Sequence, residues 1–536
     1  MVRRFGWSTP LVALLALVAL VGVACGGDED GSTGGSADND GRALVVALTS
    51  EPSNLSPVFL DVNAGNWKIF SGLVAFDQDL QLVPDLAAEM PEYSEDGRTV
   101  TVRLRQDVTF HDGEPLTSED VVFTWNAILD TDVATPIRER LALDGLIEGV
   151  RAVDEFTVEF TLSRMDPAFM ERLYTGIVPA HLLEGEDLNS TSFNREPVGT
   201  GPYRFASWVA GDRLVFEAYE DYYGGAPAIK RVVFTFVPDE NARAALMGNG
   251  EIDFTRMSPR LAENFEANED VRVVQVPSAS MYQLTLPNKH PAISDVRVRQ
   301  ALSMAVNREE MAATLIGPLG QPAYGPFREG HWAYDDSGHV DYDPQGARDL
   351  LAEAGWTESD SQGFLLKDGE RLTFTILYLA SNAEDQEFAL ALASDFQEIG
   401  VDARVEVGSN PGYQDRLDAD AFFHGVGMPY DPEYVMRARF HSDYADVAAN
   451  PAGMANPDVD AALDASRATL DPEERREAFI DLQRALLEDG SYLIIAERPT
   501  VVLVSADIEG LVPQMAGSPH AFVRGLSWNL EDWSWK

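Results

Sequence analysis

Cysteine is almost missing from this chain of 536 residues: Cys25 is the only one. No intrachain disulfide can form, and a zinc site built on two or more cysteines is excluded. Basic residues are scarce too, 40 against 88 acidic ones, which leaves a formal charge of −48. Binding DNA or RNA needs a basic face against the phosphates, and this balance argues against one. It argues equally against electrostatic docking on anionic lipid. Long apolar runs are rare as well. The one that stands out, Leu11 to Ala24, holds 14 residues without a charge, short of the roughly 20 that a spanning helix needs. No later segment is apolar for long enough to cross a membrane.

Catalytic signatures are equally thin. The eight histidines (His111, His181, His290, His331, His339, His424, His441 and His520) form no HExxH or other close metal-ligand pair. His111-Asp112-Gly113 reads as a turn, with glycine supplying it, rather than as a metal pair. No Gly-x-Ser-x-Gly elbow presents a hydrolase serine. Gly199-Thr200-Gly201 lacks the lysine of a phosphate loop, and Pro202 disfavours a helix start there. Acid pairs are everywhere among 88 acidic residues, so paired carboxylates carry no weight for glycosidase chemistry. The sequence predicts no catalytic residue, no metal site and no cofactor.

What is present suits a packed, exported protein. Hydrophobic residues make up 45% and aromatics 10%, enough for sizeable cores, and at ~100–200 residues per domain the length suggests two to four units. Arg3 and Arg4 precede the apolar run, and Val23-Ala24-Cys25 ends it, which predicts a signal peptide over 1–24. Small Ala24 before the cysteine resembles a bacterial lipobox, although Gly22 stands where Leu is usual. Cys25 is then the lipidated residue; the alternative is an ordinary secretory signal with an incidental cysteine. Gly26 to Arg42 holds six Gly, two Ser and five acids, so 25–42 is expected to be a flexible tether with too little apolar surface to fold. Its acids do not make a calcium loop, because one starting at Ser36 would need Glu where Ala47 stands. The expected place is outside the cell, anchored to the outer face of the cell membrane, in the periplasm where a second membrane exists.

Beyond the tether the signals are mixed α/β. Leu44 to Leu48, Val100 to Leu104, Phe156 to Leu162, Val232 to Val237, Val273 to Val276 and Met281 to Leu286 read as strands. Thr117 and Asp120 have capping-box spacing ahead of Val121, Trp125 and Ile128. Ser294 or Asp295, Asp343-Pro344 and Asp471-Pro472 mark three more helix starts, and Gly355 and Gly400 mark helix ends. Helices and strands alternate from about 290 to 490, and Tyr492 to Ser505 returns to β. A late strand that completes an early sheet predicts discontinuous domains with several crossovers, which are natural hinges.

Five stretches, in order, resemble one family. They are Gly72-Leu73-Val74 with Val83 to Ala87; Asp96 to Arg105 running into Thr109 to Val121; Val198 to Tyr203; Asp295 to Leu302; and Tyr342-Asp343-Pro344 with Leu351 to Gly355. Together they are similar to the extracytoplasmic solute-binding proteins of ABC importers, peptide/opine/nickel class (family 5), over residues ~44–530. The resemblance implies a periplasmic-binding-protein-like type II fold of the large, three-lobed kind (cluster C). Domain I would comprise 43–56, 197–283 and 496–536, domain II 57–196, and domain III 284–495. Hinge closure would enclose a peptide-class solute, and the closed form, a monomer, would meet a membrane permease.

The resemblance also implies where the ligand sits. Phe422 to Pro432 resembles a family segment at the pocket, which nominates Phe423, Gly425, Val426, Gly427, Met428 and Tyr430, with Tyr413 as a nearby aromatic. In peptide binders of the family an Asp in this segment pairs with the ligand ammonium; here that position is Met428. In dipeptide binders an Arg on a domain III strand holds the carboxylate; here that position is Leu379 or a neighbour. A buried ligand charge without a partner costs several kcal/mol, so simple dipeptides are expected to bind poorly. A longer peptide held by its backbone, an oligosaccharide or a metal chelate remains open. A secreted hydrolase and an adhesive scaffold are the competing classes.

Overall fold

The computed structural model describes residues 41–536 apart from 60–67, 277–278, 380–382, 409–419, 428–430, 446–449 and 515–526. The signal peptide, Cys25 and nearly all of the tether therefore lie outside the described residues, and no described helix is long and apolar enough to cross a membrane.

The helix starts read from the sequence are built as caps. Thr117 takes the amide of Glu119, and the Asp120 carboxylate reaches back to the Thr117 amide, closing the capping box ahead of Ser118–Leu129. Such a cap stabilises a helix by about 1 kcal/mol. Asp295, Asp343 and Asp471 cap Val296–Met304, Pro344–Glu353 and Pro472–Asp489, the last two with proline in the first turn. Gly355 and Gly400 take the left-handed conformation that ends their helices.

Three sheets organise the chain. A seven-stranded sheet runs in the order Val271–Val276, Thr500–Ser505, Phe254–Met257, Leu44–Leu48, Arg231–Phe236, Arg213–Ala218, Tyr203–Val209. A four-stranded antiparallel sheet joins Glu92–Tyr93, Thr99–Arg103, Thr157–Leu162 and Ile147–Asp154. A five-stranded sheet runs Asp402–Gly408, Thr373–Leu379, Ala421–Gly427, Ser280–Thr285, Tyr492–Glu497, its first three strands parallel. Thr157–Leu162 alternates buried and half-buried because helix covers only one face. Ser280–Thr285 and Tyr492–Glu497 are buried almost throughout, and their apolar runs suit strands enclosed on both faces.

One hydrophobic core spans the seven- and four-stranded sheets, from Leu44 and Phe216 to Val100, Trp125 and Phe160. The stretches assigned by resemblance to domains I and II thus share a core and form a first lobe. The five-stranded sheet has its own core around Leu284, Leu302, Phe388 and Phe423, with a satellite of Met436, Phe479 and Leu482; this is the second lobe. The β return at Tyr492 to Ser505 proves to be two strands in two different sheets. The break falls at Arg498-Pro499, where proline brings no N–H to a ladder.

His111 explains two sequence motifs at once. Its Nδ1 accepts the Gly199 amide at 3.2 Å, and its Nε2 lies 3.0 Å from the Gly201 carbonyl, which fixes Nε2 as the protonated nitrogen. Burial pushes its pKa down to about 4. Gly199 must be glycine: a Cβ there would lie 2.0 Å from the Ile69 carbonyl oxygen. The turn and the Gly-Thr-Gly run are a single packing joint.

Candidate functional site

The chain passes between the lobes twice, and the crossings lie side by side. Val276 pairs with Thr500 in the seven-stranded sheet, and Met281 pairs with Glu497 in the five-stranded sheet. Two short links, 277–279 and 498–499, thus join two rigid sheets, which is the construction of a hinge. The Arg498 amide donates to the Ser280 carbonyl at 2.7 Å and ties one link to the other.

Side chains at the hinge come from both lobes. Arg498 lies 5.3 Å from the Tyr282 ring centroid. The Tyr282 hydroxyl donates to Glu384, in the first turn of the helix Ala383–Glu398. Arg256, on the first-lobe strand Phe254–Met257, is held below its ordinary pKa by burial and by neighbouring Arg498. Gly425 leaves room for this cluster: a Cβ would lie 2.4 Å from Arg498 Nη1.

The faces of the central strand Ala421–Gly427 differ. Phe423 is buried and stacked with Tyr282 and Phe388, at centroid distances of 6.0 and 5.4 Å, under the helix Ala383–Glu398. His424 faces the other way, with Nε2 3.1 Å from Gln283 Nε2 and 3.3 Å from Thr285 Oγ1. Burial pushes its pKa down to about 3, and the cations Arg439 and Arg498 act in the same direction. It is a neutral, structural histidine at physiological pH.

A second meeting of the lobes is made of charge. In the second lobe, Arg475 grips Asp431 with two bonds of 2.7 and 2.9 Å. Glu433 receives Arg437 at 2.9 Å and Arg467 at 2.7 Å. In the first lobe, Arg172 grips Asp166 at 2.7 Å and the Leu141 carbonyl at 2.6 Å. The two sets touch: the Asp431 amide donates to Glu171 Oε2 at 2.8 Å. Arg164 of the first lobe is held below its ordinary pKa by burial and by Arg467 across the seam. Asp431, Glu433, Glu171, Asp166, Arg172, Arg437 and Arg475 are all buried.

The first lobe also holds a cavity of about 280 Å³, lined by Phe70, Tyr174, Trp528, Lys68, Asp85 and Glu531 among others. Lys68 reaches Glu531 and the Trp528 carbonyl. Asp85 accepts the Tyr223 hydroxyl, and burial pushes its pKa up to about 6 against that bond and the charge of Lys68. Among the described residues no group of three or more His, Cys, Asp or Glu is placed to hold a metal ion.

Of the ligand-site residues nominated from the sequence, Phe423, Gly425, Val426 and Gly427 lie on the strand Ala421–Gly427, whose last residue sits at the hinge opposite Ser280. Phe423 faces the helix side of the sheet. Tyr413, Met428 and Tyr430 lie outside the described residues. Leu379 ends the strand Thr373–Leu379, half-buried against Leu377 and Phe422. Sequence reasoning missed the hinge cluster and the ionic seam. Asp431 stood inside the quoted segment, but nothing linked it to Arg475 or Glu171, which are close only in space.

Comparison with known proteins places this architecture. Residues 81–446 match the family model for bacterial extracellular solute-binding proteins, family 5. The chain is 36% identical to protein XP55 of Streptomyces lividans, over 96% of this chain and 94% of that one. It is 25% identical to the oligopeptide-binding protein AppA of Bacillus subtilis, over 93% and 95% of the two. Its fold is similar to that of NikZ from Campylobacter jejuni in complex with Ni(L-His), with a TM-score of 0.80, 30% identity, and coverage of 92% and 99%. These relatives and the two-lobed body joined by a paired hinge agree, and the chain belongs to the family 5 solute-binding proteins of ABC importers, extracytoplasmic binders and not enzymes.

Proposed function

We propose that this protein is a lipid-tethered, monomeric receptor that captures a peptide-class solute between its lobes and presents it to a membrane permease. The paired hinge carries the reading, because two adjacent links let one rigid lobe swing on the other without breaking either sheet. The ligand wall is proposed at the hinge end of Ala421–Gly427 and the segment after it, with Tyr413, Met428 and Tyr430 as contacts. With Met428 and Leu379 in place of charged anchors, binding rests on the peptide backbone and apolar side chains. Simple dipeptides are therefore expected to bind more weakly than ~1 mM, about −4 kcal/mol. A micromolar titration with any of them would overturn this assignment. Mass spectrometry of small molecules released from purified protein identifies the ligand class directly; an empty protein that binds no peptide pool would refute the reading.

A second reading, a small metal chelate, is favoured by the likeness to NikZ, whose structure carries Ni(L-His). Metal analysis of the same purified protein separates the two. Anchoring is proposed at Cys25. Replacing Cys25 by Ser is expected to release the protein from the membrane fraction; a variant that stays membrane-bound would contradict the anchor.

A further inference from the structure

We propose that Glu171 is a positioning residue for ligand capture: its carboxylate, reaching from the first lobe, locks the base of the second-lobe loop that follows Gly427. This rests on the receptor reading above. The observation is the bond across the seam, from the Asp431 amide to Glu171 Oε2 at 2.8 Å. Asp431 lies four residues beyond the strand that ends at the hinge, so whatever fixes its backbone fixes one end of 428–430.

The surroundings make this one bond informative. Asp431 is already held within its own lobe by both nitrogens of Arg475. Its side chain needs nothing from the first lobe, and only its backbone amide is left to be taken. Glu171 supplies a charged acceptor to a neutral donor, a stronger bond than a neutral pair makes. The contact joins residues of different lobes, so it exists only while the lobes are together. When they part, water reaches both groups, and the open form loses nothing. Glu171 therefore biases closure and leaves folding nearly untouched, and closure in turn scales the apparent affinity for anything enclosed.

Hydrogen exchange of the full chain, read on peptides spanning 428–436, tests the contact in Glu171→Ala and Glu171→Gln. In the wild type the Asp431 amide is expected to be protected. In Glu171→Ala its exchange is expected to rise about tenfold, with an unchanged melting temperature. Glu171→Gln keeps an acceptor oxygen and is expected to show about a threefold rise. Dissociation of co-purified small molecules, followed by mass spectrometry, is expected to quicken in the same order. A wild-type Asp431 amide that exchanges as fast as in Glu171→Ala overturns the proposal. So does a Glu171→Ala protein that holds its solute as long as the wild type does. A fall in melting temperature without a change at Asp431 assigns Glu171 to first-lobe packing and also overturns it. A wild-type protein that carries and binds no solute sinks the receptor reading, whereas solute held equally by all three proteins sinks only the role of Glu171.

Discussion

At the hinge the lobes are joined by chain, and the cations Arg256 and Arg498 sit beside one acid, Glu384, and an aromatic ring. At the seam no chain crosses; buried acids and arginines meet in matched pairs. The hinge keeps its geometry through covalent length and close packing, as Gly425 shows by leaving no space above Arg498. The seam keeps its geometry through charge, which is costly to bury and tolerates no missing partner. A joint of the first kind survives motion; one of the second kind makes one arrangement of the lobes distinct from all others.

The largest expected effect comes from breaking the seam inside one lobe. Arg475→Ala leaves Asp431 buried without its cation, and such losses cost about 3–5 kcal/mol. Denaturant melts are expected to show a second-lobe transition destabilised by that amount. A change below 1 kcal/mol would mean that water enters the seam and that it is no ionic core.

The next effect concerns acid, and it separates the sheet behind the hinge from the seam. His424 has a folded pKa of about 3 against about 6.5 unfolded. Between those values the unfolded chain binds the extra proton, so stability is full above pH 6.5 and falls as pH drops toward 3. The difference amounts to at most about 4–5 kcal/mol. His111, at about 4, adds to the same trend. Asp85 opposes it: its folded value of about 6 lies above the unfolded one, so protonation as pH falls through 6 favours the folded state. Melts from pH 7 to 4.5 in wild type and His424→Gln are expected to differ in slope, the variant being flatter. Parallel curves would show that His424 is protonated in the folded protein.

Crowding the hinge is a smaller perturbation. Gly425→Val pushes Arg498 from its place, and overpacking of this kind costs about 1–3 kcal/mol. Small-angle scattering is expected to show a shifted radius of gyration with both lobes intact. An unchanged radius would mean that Arg498 swings aside freely.

The smallest effect tests whether charge matters outside the seam. A net −48 makes a self-repelling surface, and salt shortens its reach from a Debye length of ~10 Å at 0.1 M to ~3 Å at 1 M. The melting temperature is expected to climb by a few degrees with NaCl, while the Arg475→Ala penalty persists because buried pairs are screened less. A flat or falling trend, or stabilisation by sulfate alone, would remove repulsion from the account.

Much of this was legible in the sequence, for local reasons. Caps at Thr117, Asp343 and Asp471 and stops at Gly355 and Gly400 are short-range chemistry, and each is built as its residues suggest. The strand alternation of Thr157–Leu162 is legible for the same reason. Tyr492 to Ser505 was not resolved into two strands, because both halves are buried on both faces and read as one apolar run. The hinge cluster and the seam were illegible: Arg498 and Gly425, or Glu171 and Asp431, are joined by the fold and not by spacing. In a chain so rich in acids, a functional Glu carries no mark of its own.

The paired crossing has a consequence for how the molecule is made. The strand Thr500–Ser505 lies between Phe254–Met257 and Val271–Val276 and bonds to both. Until it emerges, those two strands have open edges facing each other across an empty place, while the whole second lobe is synthesised in the interval. The second lobe is therefore a guest written into the middle of its host, and the host cannot close until the guest is complete. Its termini, at Ser280 and Glu497, are neighbours at the hinge, so it is a self-contained cassette: a candidate for transplanting between relatives, and the part to finish folding first.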